Sequence, residues 1–466
     1  MPWSSSATTD PTTSPSERSR QGGVVIIGGG LAGCEAAWRC AGRRVNVKLL
    51  EMKPKHFSPA HQNGDLAELV CSNSLRSASP SSAVGLLKEE LSALNSLIME
   101  AAFAARVPAG QALAVDRAAF SRYVTDKIEA NPYIELVSGA KADSLDIPRP
   151  ARSPLIVAAG PLAADELVQA LRETIGREFL HFYDALAPIV TRDSLDMSKI
   201  FVGDRYEEPG RGSYLNCPFT AEELDVFLSA LLEADQTEAR KFEEARFFEG
   251  CLPIEVMARR GLRTLTFGPM KPVGLVDPKT GKLPAAVVQL RLENEAGTHC
   301  NLVGFQTRLT IPSQRQVFRL IPGLEKAEFA RYGAVHRNTY LDAPEVLDQF
   351  QRLVNRPDVF LAGQISGVEG YVESAAQGLW AGENAARQFL GLPLLVPPAD
   401  TAIGSLTNHL TKKNAKRVFE PSNVNFGLFP PIPPETPKRL AAQFRLDRAR
   451  NSFQAFLKEI SDVQSE

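Results

Sequence analysis

Four apolar residues, Val24 to Ile27, lead into the turn Gly28-Gly29-Gly30-Leu31-Ala32-Gly33, an alanine-rich stretch with helical spacing, and a second apolar run that stops at Glu51. A short apolar run, a glycine turn and a helical period in that order predict strand, helix and strand. The chain is then loop-rich to about Arg76, and helical spacing returns over Ser82 to Ala105 and over Arg117 to Glu129. Pro154 to Ala159 reads as a further strand, ending at Gly160-Pro161. Much later the pattern comes back: Val359 to Ala362 is a short apolar strand, closed by Gly363-Gln364-Ile365-Ser366-Gly367 and followed by a helix from about Tyr371 to Phe389. Strands alternating with helices predict an α/β fold of Rossmann-like type. A sheet can complete itself with a distant strand, so two such segments far apart predict one domain interrupted by a smaller α+β insertion. The expected division is a flexible tail over residues 1–22, a first cofactor-binding part over 23–180, the insertion over 181–330 and the second part over 331–466.

The first turn carries chemistry. Gly28, Gly30 and Gly33 fit GxGxxG with a strand before and a helix after, and the second strand ends in an acid. Gly28 permits the tight turn, Gly30 lets backbone approach a pyrophosphate at the helix N-terminus, and Gly33 lets the helix lie close on the sheet. Gly29, Leu31 and Ala32 complete the cradle, and Glu51 is placed to hold ribose hydroxyls. Gly160 falls at the carboxyl edge of its strand, where open α/β sheets bind ligands. Gly363, Gln364 and Gly367 open onto a helix whose N-terminus supplies partial positive charge. That charge suits the anionic edge of a reduced flavin, and a domain built for nicotinamide alone has no use for it. The bland alternatives are plain strand-to-helix turns at both places.

Composition narrows the class. With 466 residues and 44% hydrophobic content the chain can build a proper core, and no apolar run approaches the roughly 20 residues of a membrane span. The Ser/Thr/Pro-rich start lacks the apolar region of a secretory signal. Six cysteines at 34, 40, 71, 217, 251 and 300 form no CxxC pair and no zinc spacing, so no metal site is expected and a reducing cytoplasm fits best. A formal net charge of −2 gives no global attraction to nucleic acid. The distribution is uneven, however: residues 221–250 hold nine Asp/Glu against three Lys/Arg. Between Cys251 and Leu320 ten Lys/Arg face four acids, among them Arg259, Arg260, Lys271 and Arg291. A second basic cluster runs from Lys412 to Arg417. Solvated strand faces and a phosphate-binding surface are the two readings, and the second cluster favours RNA.

Two cysteines are candidates for chemistry. Cys71, in Leu69-Val70-Cys71-Ser72-Asn73-Ser74-Leu75-Arg76, and Cys251, in Glu249-Gly250-Cys251-Leu252-Pro253, are flanked by small or polar residues. Cys34 and Cys40 lie inside the first helix, where a small buried hydrophobe is the ordinary role. His61 and His336 have no metal partner at useful spacing, so packing or hydrogen bonding is expected of both.

At this point the chain resembles a known family. GGGLAGCEAAW, SPAHQNGDLAELVCSNSLRS, FEGCLPIEVMARRG, TLTFGPMKPVGL, NLVGFQTRL, VFLAGQISGVEGYVESAAQGLWAGENAA and TAIGSLTNHLT are similar to segments of the folate- and FAD-dependent tRNA uracil-5-methyltransferases. The resemblance covers nearly everything after the tail. It implies FAD on the Gly28 to Gly33 fingerprint, functional cysteines at Cys71 and Cys251, and methylenetetrahydrofolate as carbon donor. It also implies NAD(P)H as the reductant that recharges the flavin, and a uridine of the tRNA T-loop as substrate, with no membrane and no protein partner. Two departures stand out: Cys300 where an aromatic is expected, and the N-terminal tail. Neither touches the site motifs.

The implied chemistry accounts for the parts. Uracil C5 is a poor nucleophile until a thiolate adds at C6. Methylenetetrahydrofolate brings carbon at the formaldehyde level, so the transferred unit must afterwards be reduced, which requires a hydride source. One of Cys71 and Cys251 attacks C6 while the other removes the C5 proton or protects the flavin. Sequence leaves that assignment open, with a lean to Cys251 because its segment carries the basic surface, where Arg259, Arg260 and Lys271 are candidate phosphate contacts. The alternatives are an FAD-dependent tRNA wobble-uridine modification protein, whose chain is longer, and an FAD-stabilised RNA-binding scaffold. A thiol-disulfide flavoreductase lacks support, since no closely spaced cysteine pair is present.

Overall fold

A parallel sheet is assembled from strands far apart in the chain. The structure, a computed structural model, describes residues 22–177, 179–205, 212–237, 252–413 and 419–462. The sheet runs in the order Arg352–Leu353, Arg356–Leu361, Leu155–Val157, Val24–Ile27, Val47–Glu51, Ile134–Ser138. All neighbours pair in parallel except the first two, which form an antiparallel hairpin. Val24–Ile27 is apolar throughout and buried throughout, as a strand covered on both faces must be. Val359 pairs with Leu155, so the sheet is completed from the far end of the chain. This is the expected α/β Rossmann-like arrangement.

The helix Leu31–Gly42 leaves the first strand and packs against Tyr371–Leu390 along small residues. A Cβ on Gly378 would stand 2.1 Å from Ala32 O, and one on Gly382 would stand 2.6 Å from Ala36 O. Only glycine allows that approach. Glu383, fully buried, then receives Arg39 at 2.7 Å, Arg43, and Arg387 at 3.2 Å. Burial works against its charge, yet Arg39 and Arg43 hold its carboxyl below the usual range.

Helical spacing over Ser82 to Ala105 resolves into two helices, Ala83–Ala93 and Leu97–Ala104. Asn95, at φ 60°, breaks the run, and Ser96 caps the second helix by accepting from Met99 N. The chain leaves the parallel sheet along Leu180–Ala185 and returns along Val335–Tyr340, which pair with each other in an antiparallel ribbon. Between them lies a second six-stranded sheet, ordered Phe201–Val202, Tyr214–Phe219, Ala286–Leu292, His299–Leu302, Ile189–Thr191, Phe329–Arg331 and antiparallel throughout. Its own core gathers Phe219, Phe227, Phe305 and Phe318 with Cys217 and Cys300, both cysteines buried. No described helix is long and apolar enough to cross a membrane.

Candidate active site

The carboxyl ends of the central strands form an open groove of about 1090 Å³, counting the space at its mouth, lined by Gly28 to Ala32, Glu51, Lys53, His61, Gly160, Gly363, Gln364, Tyr371 and Ser374, among others. The glycines act differently. Gly28 sits at φ 102°, and a Cβ there would stand 2.5 Å from Ala158 O. At Gly30 a Cβ would meet nothing within 4 Å, because that side of the residue faces the groove. Gly33 lies behind the turn, pressed on Gly28 O, and does not line the groove. Glu51 accepts from Gly29 N at 2.6 Å and from Lys53 N at 2.9 Å, so the acid at the strand end also fixes the turn. Gly367 stands outside the groove; its φ is 92° and the space beside it is taken by the Phe419 ring.

A second cavity adjoins the first. It holds Cys71, Ser72, Ser74, Arg76, Gln306, Asn338, Glu369 and Asn423, and shares Val70, Pro161, Leu162, Gln364, Tyr371 and Ser374 with the groove. Cys71 is half-buried here, on a loop held through its backbone and through the side chains of Ser72 and Asn73. Tyr371, first residue of its helix, accepts from Cys71 N at 2.8 Å and from Ser72 N at 3.1 Å. Arg331 donates to Val70 O and Cys71 O, each at 3.1 Å. Arg117 donates to Leu69 O at 2.7 Å and to Cys71 O at 3.3 Å, and pairs with Glu293 at 2.7 Å.

These groups shift one another. Burial, and then the neighbouring Arg117, lowers the Arg331 guanidinium from its ordinary value. Burial also opposes the Arg117 charge, but Glu293 carries it above the ordinary value. Burial, with Cys71 nearby, raises the Tyr371 hydroxyl. Arg76, paired with Glu373, is lowered to about 10 by burial.

The basic segment of the insertion is only partly a surface. Arg291 is buried, donating to Asn73 Oδ1 at 2.9 Å and to Ser72 Oγ at 2.8 Å. It fastens the thiol loop to the second sheet and is not available to phosphate. Arg259 and Arg260 are exposed at the end of the helix Ile254–Arg259, and Lys271 is half-buried. None of the three lines either cavity. Cys251 lies outside the described residues, as do the tail over 1–21, acidic residues of 238–250, and Lys416 and Arg417 of the second basic cluster. Ile254, three residues beyond Cys251, donates its amide at 2.7 Å to the carbonyl of Gln306, which lines the Cys71 cavity.

Sequence reasoning missed Arg117, Arg331, Tyr371 and Asn338. Each reaches the site from a segment distant from Cys71, and only Tyr371, at the start of the helix after Gly367, stands beside a motif read from the sequence.

Known proteins resemble the chain in sequence and in fold. The family model described as glucose inhibited division protein A matches residues 23–393. A protein of Geotalea uraniireducens named methylenetetrahydrofolate--tRNA-(uracil-5-)-methyltransferase TrmFO is 57% identical over 88% of this chain and 92% of its own. The chain belongs to the TrmFO family. A TrmFO of Desulfotalea psychrophila is 53% identical, over 91% of this chain and 94% of its own. In fold, GidA of Aquifex aeolicus is similar with a TM-score of 0.67 at 17% identity, covering 94% of this chain and 73% of that one. The TrmFO relatives therefore match in sequence over nearly their full length.

Proposed function

We infer that groove and cavity serve one reaction, the folate-dependent methylation of uracil C5 in tRNA to give ribothymidine. The observation that carries this is the shared wall. A dinucleotide seat and a thiol-bearing cavity meet at Tyr371, Gln364 and Ser374, so a ring bound at the end of one lies against the other. The groove suits FAD: Gly30 and Gly160 leave it open, Gly28 lets the turn close on Ala158, and Glu51 stands at the strand end. FAD held there would supply, once reduced by NAD(P)H, the hydride that the transferred one-carbon unit needs to become a methyl group. Residues 23–180 and 331–466 form the cofactor unit and 181–330 the insertion, a division favoured by the crossing ribbon and the separate second core.

The chain's own residues hold and move the rest. A cysteine thiolate adds to uracil C6, and the electron pair moves to C5 and O4, which lets C5 attack methylenetetrahydrofolate. A second group takes the C5 proton as the carbon–nitrogen bond to the folate breaks and tetrahydrofolate leaves, and hydride addition to the resulting exocyclic methylene then breaks the C6–S bond and releases the thiolate. Cys251 is the proposed nucleophile and Cys71 the proton acceptor, since Cys71 sits against Tyr371 on the cofactor side of the cavity. Arg259, Arg260 and Lys271 are proposed to meet T-loop phosphates. A cytoplasmic setting goes with a tRNA substrate and with free, buried thiols at Cys34, Cys40, Cys217 and Cys300.

Incubating FAD-loaded protein with unmodified tRNA, methylenetetrahydrofolate and NADPH, then digesting to nucleosides, should yield ribothymidine. No ribothymidine from such a preparation would overturn the function. Trapping on RNA containing 5-fluorouracil should leave the adduct on Cys251, whereas an adduct on Cys71 would reverse the two roles.

A further inference from the structure

We propose that Asn338 is the residue that reads the ring edge of the substrate in the Cys71 cavity, recognising a cyclic lactam, –NH–C(=O)–, through its carboxamide. The inference rests on the methylation reading and names a contact within it.

Asn338 is 3% exposed and lines the cavity. Its carboxamide makes no hydrogen bond to any described residue, although one amide group carries two donors and two acceptor lone pairs. Most buried side-chain amides are satisfied from within the protein. This one turns its polar atoms to the cavity, where a bound group can meet them. The second carboxamide of this wall, Gln306, is half-buried and likewise has no side-chain partner among the described residues.

The placement is rigid. Asn338 lies inside Val335–Tyr340, paired with Phe182 of the opposite strand. The next residue, Thr339, donates its amide to Pro161 O at 3.2 Å, and Leu341 donates to Ile365 O at 3.0 Å. Pro161 and Ile365 belong to the two loops, after Gly160 and after Gly363, that close the cofactor groove. The strand is therefore pinned between the loops where groove and cavity meet, and its inward amide looks into the space that a planar ring must share with Cys71.

A carboxamide matches a lactam edge with paired bonds, its C=O accepting the ring N–H and its NH₂ donating to the ring C=O. Uracil has that edge at N3–H with O4 or O2, and the pterin of methylenetetrahydrofolate has it at N3–H with O4. The shared chemistry is the lactam, and two readouts separate the sources. The enzyme is used as FAD-loaded full chain, with Asn338→Ala and the polar Asn338→Ser as variants. One readout is the rate of covalent trapping on a 5-fluorouridine T-loop minihelix without folate. The other is the affinity for tetrahydrofolate, followed by the change in flavin absorbance.

If Asn338 reads uracil, Asn338→Ala slows trapping about ten-fold to a hundred-fold and leaves folate affinity unchanged. If it reads pterin, the same loss appears in folate affinity and trapping is untouched. Asn338→Ser, which keeps a hydroxyl donor and acceptor, falls between wild type and Asn338→Ala in whichever readout moves. The proposal is overturned if both variants retain FAD and neither readout changes, or if Asn338→Ser loses FAD together with both readouts, which assigns the residue to folding. Wild type that makes no ribothymidine sinks the methylation reading itself. Wild type that does, beside unaffected variants, sinks only this inference.

Discussion

The thiol of Cys71 depends on groups that never touch its sulfur. Arg331 gives two bonds to the carbonyls of Val70 and Cys71, while its own Nε is buried without a partner among the described residues. Arg331→Gln removes that fork, taking the donor from Val70 O and leaving Cys71 O with Arg117 alone, at a cost of about 1–3 kcal/mol spread over the loop. The expected outcome is kcat lowered about ten-fold with little change in FAD content, measured by steady-state ribothymidine formation beside flavin absorbance. A loss of FAD in parallel would mean that the arginine holds the fold and not the thiol. Cys71, Glu51 and the Gly28 turn were legible because their chemistry is written in adjacent residues. Arg331 was not, because a guanidinium meaningful only through a carbonyl 260 positions away has no local signature.

At the scale of elements, the contact between Leu31–Gly42 and Tyr371–Leu390 governs the groove, because Ala32 lines it and Gly378 presses on Ala32. Gly378→Val must push two backbones apart and is expected to cost about 1–3 kcal/mol, or more if the helices cannot part. It should also weaken FAD retention, seen as a lower Tm and a faster loss of flavin on gel filtration. A second element depends on Glu90, whose carboxylate accepts from the amides of Ala402 and Ile403 at the start of the helix Ala402–Thr411. Burial pushes Glu90 up to about 8 from 4.5. The folded state therefore keeps a proton that the unfolded chain gives up. This group's contribution is complete below about 4.5 and is lost as pH rises toward about 8. Glu90→Gln should flatten Tm against pH across that window, while costing about 1 kcal/mol at its lower end for the lost acceptor. An unchanged slope would show that the carboxyl is not the titrating group. Periodicity revealed this region as helical, yet it missed the break at Asn95, since one residue at positive φ leaves the hydrophobic spacing on either side intact.

Taken whole, the molecule joins a cofactor sheet to an antiparallel sheet through a few polar threads. Asn73 donates to both Val115 O and Leu292 O, and Arg291 returns to Asn73 and Ser72. The alternation of strand and helix made the first sheet readable in the sequence. The second was readable only as an interruption, because its strands pair across long separations such as Ile189 with Asn301. Basic composition overstated the charge available at the surface, since counting charges cannot separate buried Arg291 from exposed Arg259. Replacing Arg259, Arg260 and Lys271 together by Ala should weaken tRNA binding evenly across sequences. The slope of log affinity against log salt should fall by about one for each phosphate that is no longer neutralised. Replacing Arg291 by Leu should leave that slope alone and impair turnover instead.

The loop bearing Cys71 is made early in synthesis but finished late. Three of its anchors, Arg291, Arg331 and Tyr371, have yet to be translated when the loop itself leaves the ribosome. Until the long returning helix is made, the loop lacks Tyr371, the residue that joins the thiol cavity to the groove. A chain that stops before Tyr371 therefore cannot build the wall that groove and cavity share, however well its first strands have paired.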